Sequence, residues 1–386
     1  MNDPGFAALL ATRPDPDKVA GVLDQLRTID VDGLNEMLHG VTGPALFRWV
    51  NGVARTELTD LLGRQRRDDL DAKGLARVVH GMQSQRRTQH RDDVLVEILL
   101  SRTGADLTRL KNFINTAEDH QDLEDLVFVD LSEDDRNRVL AHIAEAAGET
   151  IIKDPKVLSD IDDTVFCTLH DRRWPRGMLY PGVMTLFKAL DEGQDDDPFD
   201  EGDLTFVTSR PADAWGLLEN RSRSALVEAG VSRLSVLSGS LRALVSKEAM
   251  ATRKMKNISH YRLLFPEYRL VFLGDSGQGD VLVGERLLAQ DRDAVQLVLI
   301  HDVVNTPPDL RAEYAARGIH FHDTYVGAAV IAFEHDLISP AGLSFVANKA
   351  VHEFETATWD NKAQRDHMQR LFERDLERLE AAEARS

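Results

Sequence analysis

An acidic pentapeptide at the end of a short apolar run places the strongest constraint on how this chain can fold. Residues 160–164 read Asp-Ile-Asp-Asp-Thr and directly follow the run that contains Val157 and Leu158. Because a strand alternates its side chains, we expect Asp160 and Asp162 to project to the same side. Open α/β sheets bind ligands at the carboxyl ends of their strands, so this pair favours chemistry on a bound group. The same spacing also occurs in solvated turns and calcium-binding loops.

A second acidic element follows another apolar run far downstream. Residues 270–273 read Leu-Val-Phe-Leu, and residues 274–280 read Gly-Asp-Ser-Gly-Gln-Gly-Asp. Glycine lets the backbone approach a ligand closely, and the carboxylates of Asp275 and Asp280 are hard oxygen ligands of the kind that magnesium prefers. We therefore expect the two acidic strand ends to meet around a phosphate and a divalent cation.

Two further elements carry a hydroxyl and a cation. The apolar run 204–207 ends at Thr208, Ser209, Arg210 and Pro211, where a hydroxyl and backbone N–H groups can hold phosphate oxygens. A Thr-Ser pair after a strand can also serve as the N-cap of the next helix. Lys254 opens a helical segment that ends before Pro266, and it can neutralise phosphate and carboxylate charge, although most lysines are simply solvated.

These four elements occur along the chain in the order 160–164, 208–211, Lys254 and 274–280, and in this order they resemble the haloacid dehalogenase superfamily of aspartate-based phosphotransferases. The stretch from about 157 to 335 resembles, more narrowly, the catalytic domain of actin-patch-associated phosphatidate phosphatases and their bacterial relatives. Residues 159–164, 180–182, 239–241, Lys254 and 274–280 carry this narrower resemblance. The chain departs from it at 208–211, where the family usually has a Ser-x-Ser-Pro-Trp type sequence, and after the fourth motif, where the usual Asp-Pro is Asp-Val. Both departures concern substrate identity more than chemistry.

The resemblance implies a role for each carboxylate. Asp160 would be the nucleophile that forms an aspartyl-phosphate, and Asp162 would protonate the leaving group and then activate water. Magnesium would be held by Asp160, by the main-chain carbonyl of Asp162 and by Asp275. Asp280 would either ligate the cation through water or orient Lys254.

The resemblance also implies that Thr208 and Lys254 bind the transferring phosphoryl oxygens. It leaves open whether Ser209 or Arg210 contributes to substrate binding. Thr164 is expected to fix the turn of the first motif by hydrogen bonding.

The function implied by the resemblance is a magnesium-dependent phosphatase that acts on a phosphatidate-like lipid phosphate. Two alternatives stay open. The substrate can be a phosphoprotein or a soluble phosphate ester, because the motifs bind the phosphoryl group and not its leaving group. The domain can also be a sensor or scaffold that binds a phosphorylated ligand without turnover, which degenerate aspartates would favour.

Composition limits the partners. The chain has 386 residues and a net charge of −19, which argues against nonspecific binding to nucleic acid and against electrostatic capture by anionic membranes. Contact with a membrane surface would then need a local basic or apolar patch. Cys167 is the single cysteine, so no intramolecular disulfide exists, and a reducing cytoplasm is expected. We find no secretory signal pattern and no apolar run long enough to span a membrane. The sequence does not indicate an oligomeric state.

The predicted organisation has three parts. Residues 1–150 are predicted to form an all-α domain of unknown role, because apolar residues recur at three- and four-residue spacing. Residues 151–345 are predicted to form an α/β phosphatase domain with a Rossmann-like parallel sheet of the haloacid dehalogenase type and a small cap or none. Its strands are expected at 157–158, 204–207, 234–237, 270–273 and 294–300. Residues 346–386 are predicted to form an amphipathic helix.

Overall fold

The computed structural model describes residues 16–115, 123–148, 152, 155–194, 204–211, 235–239 and 246–385. For residues 16–17, 208–211 and 235–239 it describes the backbone alone. The chain divides into two compact units, which are described separately. One comprises Met1–Ile151 with Tyr261–Glu267, and the other comprises Ile152–His260 with Tyr268–Ser386.

The second unit is built on a six-stranded sheet in the order β3-β2-β1-β4-β5-β6, and every pair of neighbours in it is parallel. A parallel sheet covered by helices needs strands that are largely apolar on both faces, and the apolar runs of this chain, such as residues 270–273 and 297–300, lie in its strands. The predicted α/β Rossmann-like class is thereby confirmed. The strands are β1 Lys156–Ser159, β2 Leu204–Pro211, β3 Ser235–Gly239, β4 Leu270–Asp275, β5 Val295–His301 and β6 Ile319–His322.

The register of the central strands places the two acidic motifs at one edge of the sheet. Ser159 at the end of β1 pairs with Leu273 of β4, and the N–H of Asp160 donates to the carbonyl of Leu273 at 2.9 Å. All residues of β1 and β4 are buried. The chain therefore leaves both strands at the same height, next to each other, with Asp160 directly after β1 and Asp275 as the last residue of β4.

Helices on the second unit cover the sheet and close its core. Trp174 lies among Tyr180, Phe354 and Phe372, with ring centroids 6.0 to 6.1 Å away, and stacks on Trp359 at 5.0 Å. The C-terminal segment thus contributes aromatic side chains to the core of this unit, through two helices rather than one. The helices in chain order, numbered after those of the first unit, are α9 Val183–Glu192, α10 Lys247–Leu264, α11 Asp280–Gln290, α12 Pro308–Ala316, α13 Tyr325–Glu334, α14 Pro340–Thr356 and α15 Lys362–Glu383. Residues 261–264 of α10 are assigned to the first unit.

The described part of the first unit is helical. Its last helix has a capping residue at each end. The side chain of Ser132 accepts a hydrogen bond from the N–H of Asp135 at 3.2 Å, and Gly148 ends the helix. Among the described residues of the chain, no helix is both long enough and apolar enough to cross a lipid bilayer. The helices are α1 Pro16–Thr28, α2 Val31–His39, α3 Gly43–Arg48, α4 Gly52–Asp60, α5 Ala72–Gln83, α6 Gln89–Leu100, α7 Gly104–Asn115 and α8 Glu133–Ala147, with π-helical turns at Leu61–Gln65 and Asp125–Asp130 and a 3-10 turn at Arg67–Asp69.

Gly182 starts α9 in a conformation that only glycine adopts easily, and it also lies in a crowded place. Its φ is +87°, and a Cβ atom there would lie 2.8 Å from Cβ of Ala350. We expect Gly182→Ala to lower the free energy of unfolding by about 1–2 kcal/mol for the backbone and by a further 1–3 kcal/mol for the clash. Urea denaturation measures the sum.

Gly177 provides the matched control for this substitution. Its φ is +81°, but a Cβ atom there would meet nothing within 4 Å. Gly177→Ala should therefore carry the backbone cost alone. Equal losses of stability for the two variants would show that Ala350 does not restrict the start of α9.

Candidate functional site

Four segments of the second unit bring charged side chains together at the carboxyl end of the sheet. Asp160 follows β1, Asp275 ends β4, Lys254 lies in α10, and Asp280 is the first residue of α11. All four side chains are buried, with at most 3% of each residue exposed. The sequence predicted this convergence from two acidic strand ends and one lysine, and the structure places them together.

Lys254 lies between two of the carboxylates. Its Nζ is 2.7 Å from Oδ1 of Asp160 and 2.5 Å from Oδ1 of Asp280. An ammonium buried without partners would be strongly unfavourable, so these two contacts keep the lysine charged inside the protein. Although burial alone would lower it, the two carboxylates raise the pKa of Lys254 above its usual value.

The loop after β4 wraps around Asp275. Oδ1 of Asp275 accepts the N–H groups of Gly277 at 2.6 Å and Gln278 at 3.0 Å, and Oδ2 of Asp280 accepts the N–H of Asp275 at 3.1 Å. Gly274 makes this geometry sterically feasible, because a Cβ atom there would lie 2.4 Å from Cβ of Asp280. Asp280 therefore uses one oxygen to hold the lysine and the other to hold the strand end, which supports the predicted orienting role.

The hairpin after β1 fixes the second half of the acidic pentapeptide. Oδ1 of Asp162 accepts the hydroxyl hydrogen of Thr168 at 2.9 Å. Asp163 has a φ of +58°, and its carboxylate accepts the N–H groups of Thr168, Leu169 and His170 at 2.6 to 2.9 Å. Asp163 is thus a structural residue that folds the hairpin over the strand end, a role that the sequence alone did not reveal.

A buried histidine supports the same hairpin from the side of β5. Nδ1 of His301 lies 2.8 Å from the main-chain carbonyl of Asp163, and since a carbonyl can only accept, Nδ1 carries the hydrogen. Nε2 then accepts from Arg173 at 3.1 Å. Burial and the Arg173 guanidinium lower the pKa of His301, which keeps the imidazole neutral in this tautomer.

The carboxylates repel one another inside the protein, where they are almost fully buried. Burial raises the pKa of Asp160 to about 8, Lys254 opposes the rise, and Asp280 and Asp162 add to it. Burial also raises the pKa of Asp275 well above its usual range, and the charges of Asp280 and Asp160 contribute. One ammonium is therefore too little positive charge for three buried carboxylates, and the site favours further cationic charge.

The residues at this site fit a magnesium ion. One carboxylate oxygen from each of Asp160, Asp275 and Asp280 lies within 4.8 Å of the other two. Oxygen atoms that share one octahedral Mg²⁺ at about 2.1 Å are about 3 to 4 Å apart. Oδ2 of Asp160 is buried and has no hydrogen-bond partner among the described residues, so one strong acceptor is still unsatisfied.

Gln278 is a further site residue that the sequence did not single out. Its side-chain Nε2 lies 3.1 Å from Oδ2 of Asp275 and 3.3 Å from the main-chain carbonyl of Asp162. The amide thus contacts two of the atoms that the resemblance assigns to magnesium. A polar residue inside a glycine-rich loop after an acidic strand end is the signal that could have identified it.

His170 is a second residue that the sequence did not single out. Its side chain is 44% exposed, its Nδ1 lies 3.2 Å from Oδ2 of Asp163, and one of its ring nitrogens lies within 4.8 Å of a carboxylate oxygen of Asp275. The imidazole borders the buried cluster on the solvent side. No feature of the sequence distinguishes it from any other loop histidine.

The predicted phosphate-binding hydroxyl can be placed only by its backbone. Thr208, Ser209 and Arg210 lie in β2, which is the neighbour of β1 on the side opposite β4. Their side chains lie outside the described part of the chain, so the predicted contact of Thr208 with phosphate stays a prediction.

The fold and the acidic cluster together define a haloacid dehalogenase-like, Rossmann-type domain with its site at the carboxyl ends of β1 and β4. Residues 155–302 match the family model of the phosphatidate phosphatase APP1 catalytic domain, which confirms the predicted resemblance. This family is one of phosphoric monoester hydrolases, so the predicted enzyme class is confirmed at the level of the family. No curated protein and no solved structure gives a match.

Lys254→Met tests whether the ammonium holds the cluster together. The variant leaves the carboxylates of Asp160 and Asp280 buried without their shared cation, and we expect a loss of about 3–5 kcal/mol in the free energy of unfolding. Urea denaturation in the presence of a chelator measures it. Lys256→Met, at an exposed position of the same helix, should change stability by less than about 0.5 kcal/mol. Equal effects of the two variants would rule out a stabilising role for the buried ammonium.

Proposed function

We propose that the second unit is a magnesium-dependent phosphatase that forms an aspartyl-phosphate on Asp160 and acts on a phosphatidate-like lipid phosphate. The observation that carries this proposal is the buried cluster, in which Lys254 contacts Asp160 and the carboxylate of Asp275 lies alongside. The match of residues 155–302 to a phosphatidate phosphatase family supports the choice of substrate.

The proposed reaction has two steps. In the first, a carboxylate oxygen of Asp160 attacks the phosphorus atom, the bond from phosphorus to the leaving oxygen breaks, and Asp162 gives its proton to that oxygen. In the second, Asp162 takes a proton from water, the water oxygen attacks the phosphorus atom of the aspartyl-phosphate, and Asp160 is released with inorganic phosphate. Thr168, which donates to Oδ1 of Asp162, holds this carboxylate in place for both proton transfers.

Lys254 and Asp280 act together in this scheme. The lysine Nζ contacts Asp160, so a phosphoryl group that approaches Asp160 comes within reach of the ammonium. Asp280 positions the lysine and does not touch the phosphoryl group. Thr208, from the neighbouring strand β2, is proposed to donate to a second phosphoryl oxygen.

Asp160, the main-chain carbonyl of Asp162 and Asp275 are proposed to hold Mg²⁺, with Asp280 beside them. When bound, the ion supplies positive charge that offsets the repulsion between an anionic carboxylate and an anionic phosphate. Gln278, whose amide contacts both Asp275 and the Asp162 carbonyl, is placed to adjust these ligands when the ion binds.

A phosphatase of a phosphoprotein or of a soluble phosphate ester is the second candidate, because the buried groups address only the phosphoryl part of a substrate. A sensor without turnover is less well supported, since Asp160, Asp275 and Asp280 are clustered and Asp162 is present two residues after Asp160. The cytoplasmic location and the identity of the metal as magnesium belong to the proposal as well.

Asp160→Asn tests the nucleophile. The amide keeps the size of the side chain but cannot attack phosphorus, so we expect turnover of phosphatidate and of p-nitrophenyl phosphate to fall by about a thousandfold or more. Release of inorganic phosphate measures both substrates in one assay, and fluoroberyllate should inhibit the wild type as a mimic of the aspartyl-phosphate.

Asp309→Asn, at an exposed position in the first turn of α12, is the control and should keep full activity. Retained turnover in Asp160→Asn would end the assignment of the nucleophile. Wild-type protein that binds these substrates but hydrolyses neither would favour the sensor.

Magnesium binding can be tested without any assay of activity. A ligand that binds only the folded state stabilises that state, by about 2.7 kcal/mol when the free ligand concentration is a hundred times Kd. Mg²⁺ should therefore raise the midpoint of thermal unfolding of the wild type. Asp275→Asn removes one proposed ligand and should abolish most of that rise, whereas Asp309→Asn should keep it. A full rise in Asp275→Asn would place the metal elsewhere.

A further inference from the structure

Two large apolar side chains are exposed beside the buried cluster. Leu169 is 50% exposed and lies in the hairpin after β1, and Val304 is 52% exposed and lies in the loop after β5. The side chains of Asp160, Asp162 and Asp275 are at most 6% exposed. Both apolar residues thus lie in segments that follow strands of the sheet at the end where the buried carboxylates lie.

Hydrogen bonds fix Leu169 and His170 next to the loop that holds Asp275. The N–H groups of both residues donate to the carboxylate of Asp163, at 2.9 and 2.6 Å. The imidazole of His170 lies against Gly277, where a Cβ atom would approach its Cγ to 2.8 Å. The backbone of Leu169 is thus held in place although its side chain faces solvent.

Val304 is fixed to the same loop from the other side. Oγ of Ser276 accepts the N–H groups of Val303 at 2.9 Å and Val304 at 3.3 Å, and Ser276 is the neighbour of both Asp275 and Gly277. His170, the neighbour of Leu169, and Val304 therefore both contact residues 276–277. Val303, one residue earlier, is buried, so the chain becomes exposed to solvent at Val304.

The hairpin also carries exposed basic side chains. Arg172 and Arg176 follow Leu169 and His170 in it, and both are exposed. The chain as a whole has a net charge of −19, so an anionic surface repels it on average. Exposed arginines in the same hairpin as an exposed leucine are the combination that an acidic protein needs to reach an anionic lipid surface.

We propose that Leu169 and Val304, with Arg172 and Arg176, form a lipid-docking rim that seats the site on a bilayer containing anionic lipid. The apolar side chains enter the boundary between headgroups and acyl chains, and the guanidinium groups bind lipid phosphates. This inference rests on the proposed function, because it supplies the access to a lipid phosphate that the buried site by itself lacks. A protein partner, or a second copy of this chain, would be a different occupant of the same surface.

The test compares a rim variant with a matched control. The rim variant is Leu169→Ser with Val304→Ser, and the control is Val31→Ser with Val53→Ser, which are 45% and 84% exposed and lie in α2 and α4. Each protein is assayed on phosphatidate in phosphatidylcholine vesicles and on p-nitrophenyl phosphate. We expect the rim variant to lose about tenfold in turnover on vesicles, about 1.4 kcal/mol, and less than twofold on the soluble ester. The control should match the wild type on both.

Three outcomes would overturn the rim. These are equal turnover of vesicles by the rim variant and the wild type, an equal loss on both substrates, and a loss of self-association that accounts for the whole effect. Light scattering measures self-association in the same samples.

Flotation of each protein with vesicles of phosphatidylserine and phosphatidylcholine separates the rim from the proposed function. It reports docking in the absence of any turnover. If the wild type hydrolyses neither substrate, the proposed function fails, and flotation still decides about the rim. Weaker flotation of the rim variant than of the control supports the rim, and equal flotation overturns it.

Discussion

The burial of one ammonium between two carboxylates is the interaction on which the site depends. Lys254 belongs to α10, Asp160 follows β1, and Asp280 starts α11, so one charged group joins three elements that are distant in sequence. Each charge would be costly to bury alone, and each makes the others tolerable. The strands fix where Asp160 and Asp275 leave the sheet, while the lysine fixes how close the carboxylates come. The excess of negative charge that remains is what makes the site receptive to a cation.

A second buried network holds the surroundings of that cluster. Asp323, after β6, is in contact with the guanidinium groups of Arg173, Arg311 and Arg374 at 2.7 to 3.3 Å. Although burial alone would raise it, the hydrogen bonds from Arg311 and the other arginines keep the pKa of Asp323 below its usual range. Arg173 reaches from this network to His301, and His301 donates to the backbone of the first motif. The C-terminal helix α15, through Arg374, is thereby connected to the hairpin beside the site.

The sequence predicted the parts of the site that depend on regular structure. Apolar runs that end in Asp160 and Asp275 are strands, and parallel strands end at one edge, so their meeting follows from elementary geometry. The role of Asp163 was not predictable, because it depends on a positive φ and on a hairpin whose turn has no distinctive signature. The same is true of Gln278, which acquires its two contacts only when the loop after β4 lies against β1. Contacts between loop side chains that are distant in sequence leave no periodic pattern of residue types by which they could be predicted.

The division between buried and exposed residues explains why chemistry was easier to infer than substrate. Asp160, Asp275 and Lys254 lie inside the protein and can address only a group as small as a phosphoryl. In the proposed function, a leaving group extends past the hairpin and the loop after β5, where the side chains of Leu169 and Val304 face solvent. Those positions belong to no motif, because each is set by the local path of a different loop. In the proposed function, substrate choice is therefore a property of the surface, and the chemistry of the buried site constrains it only weakly.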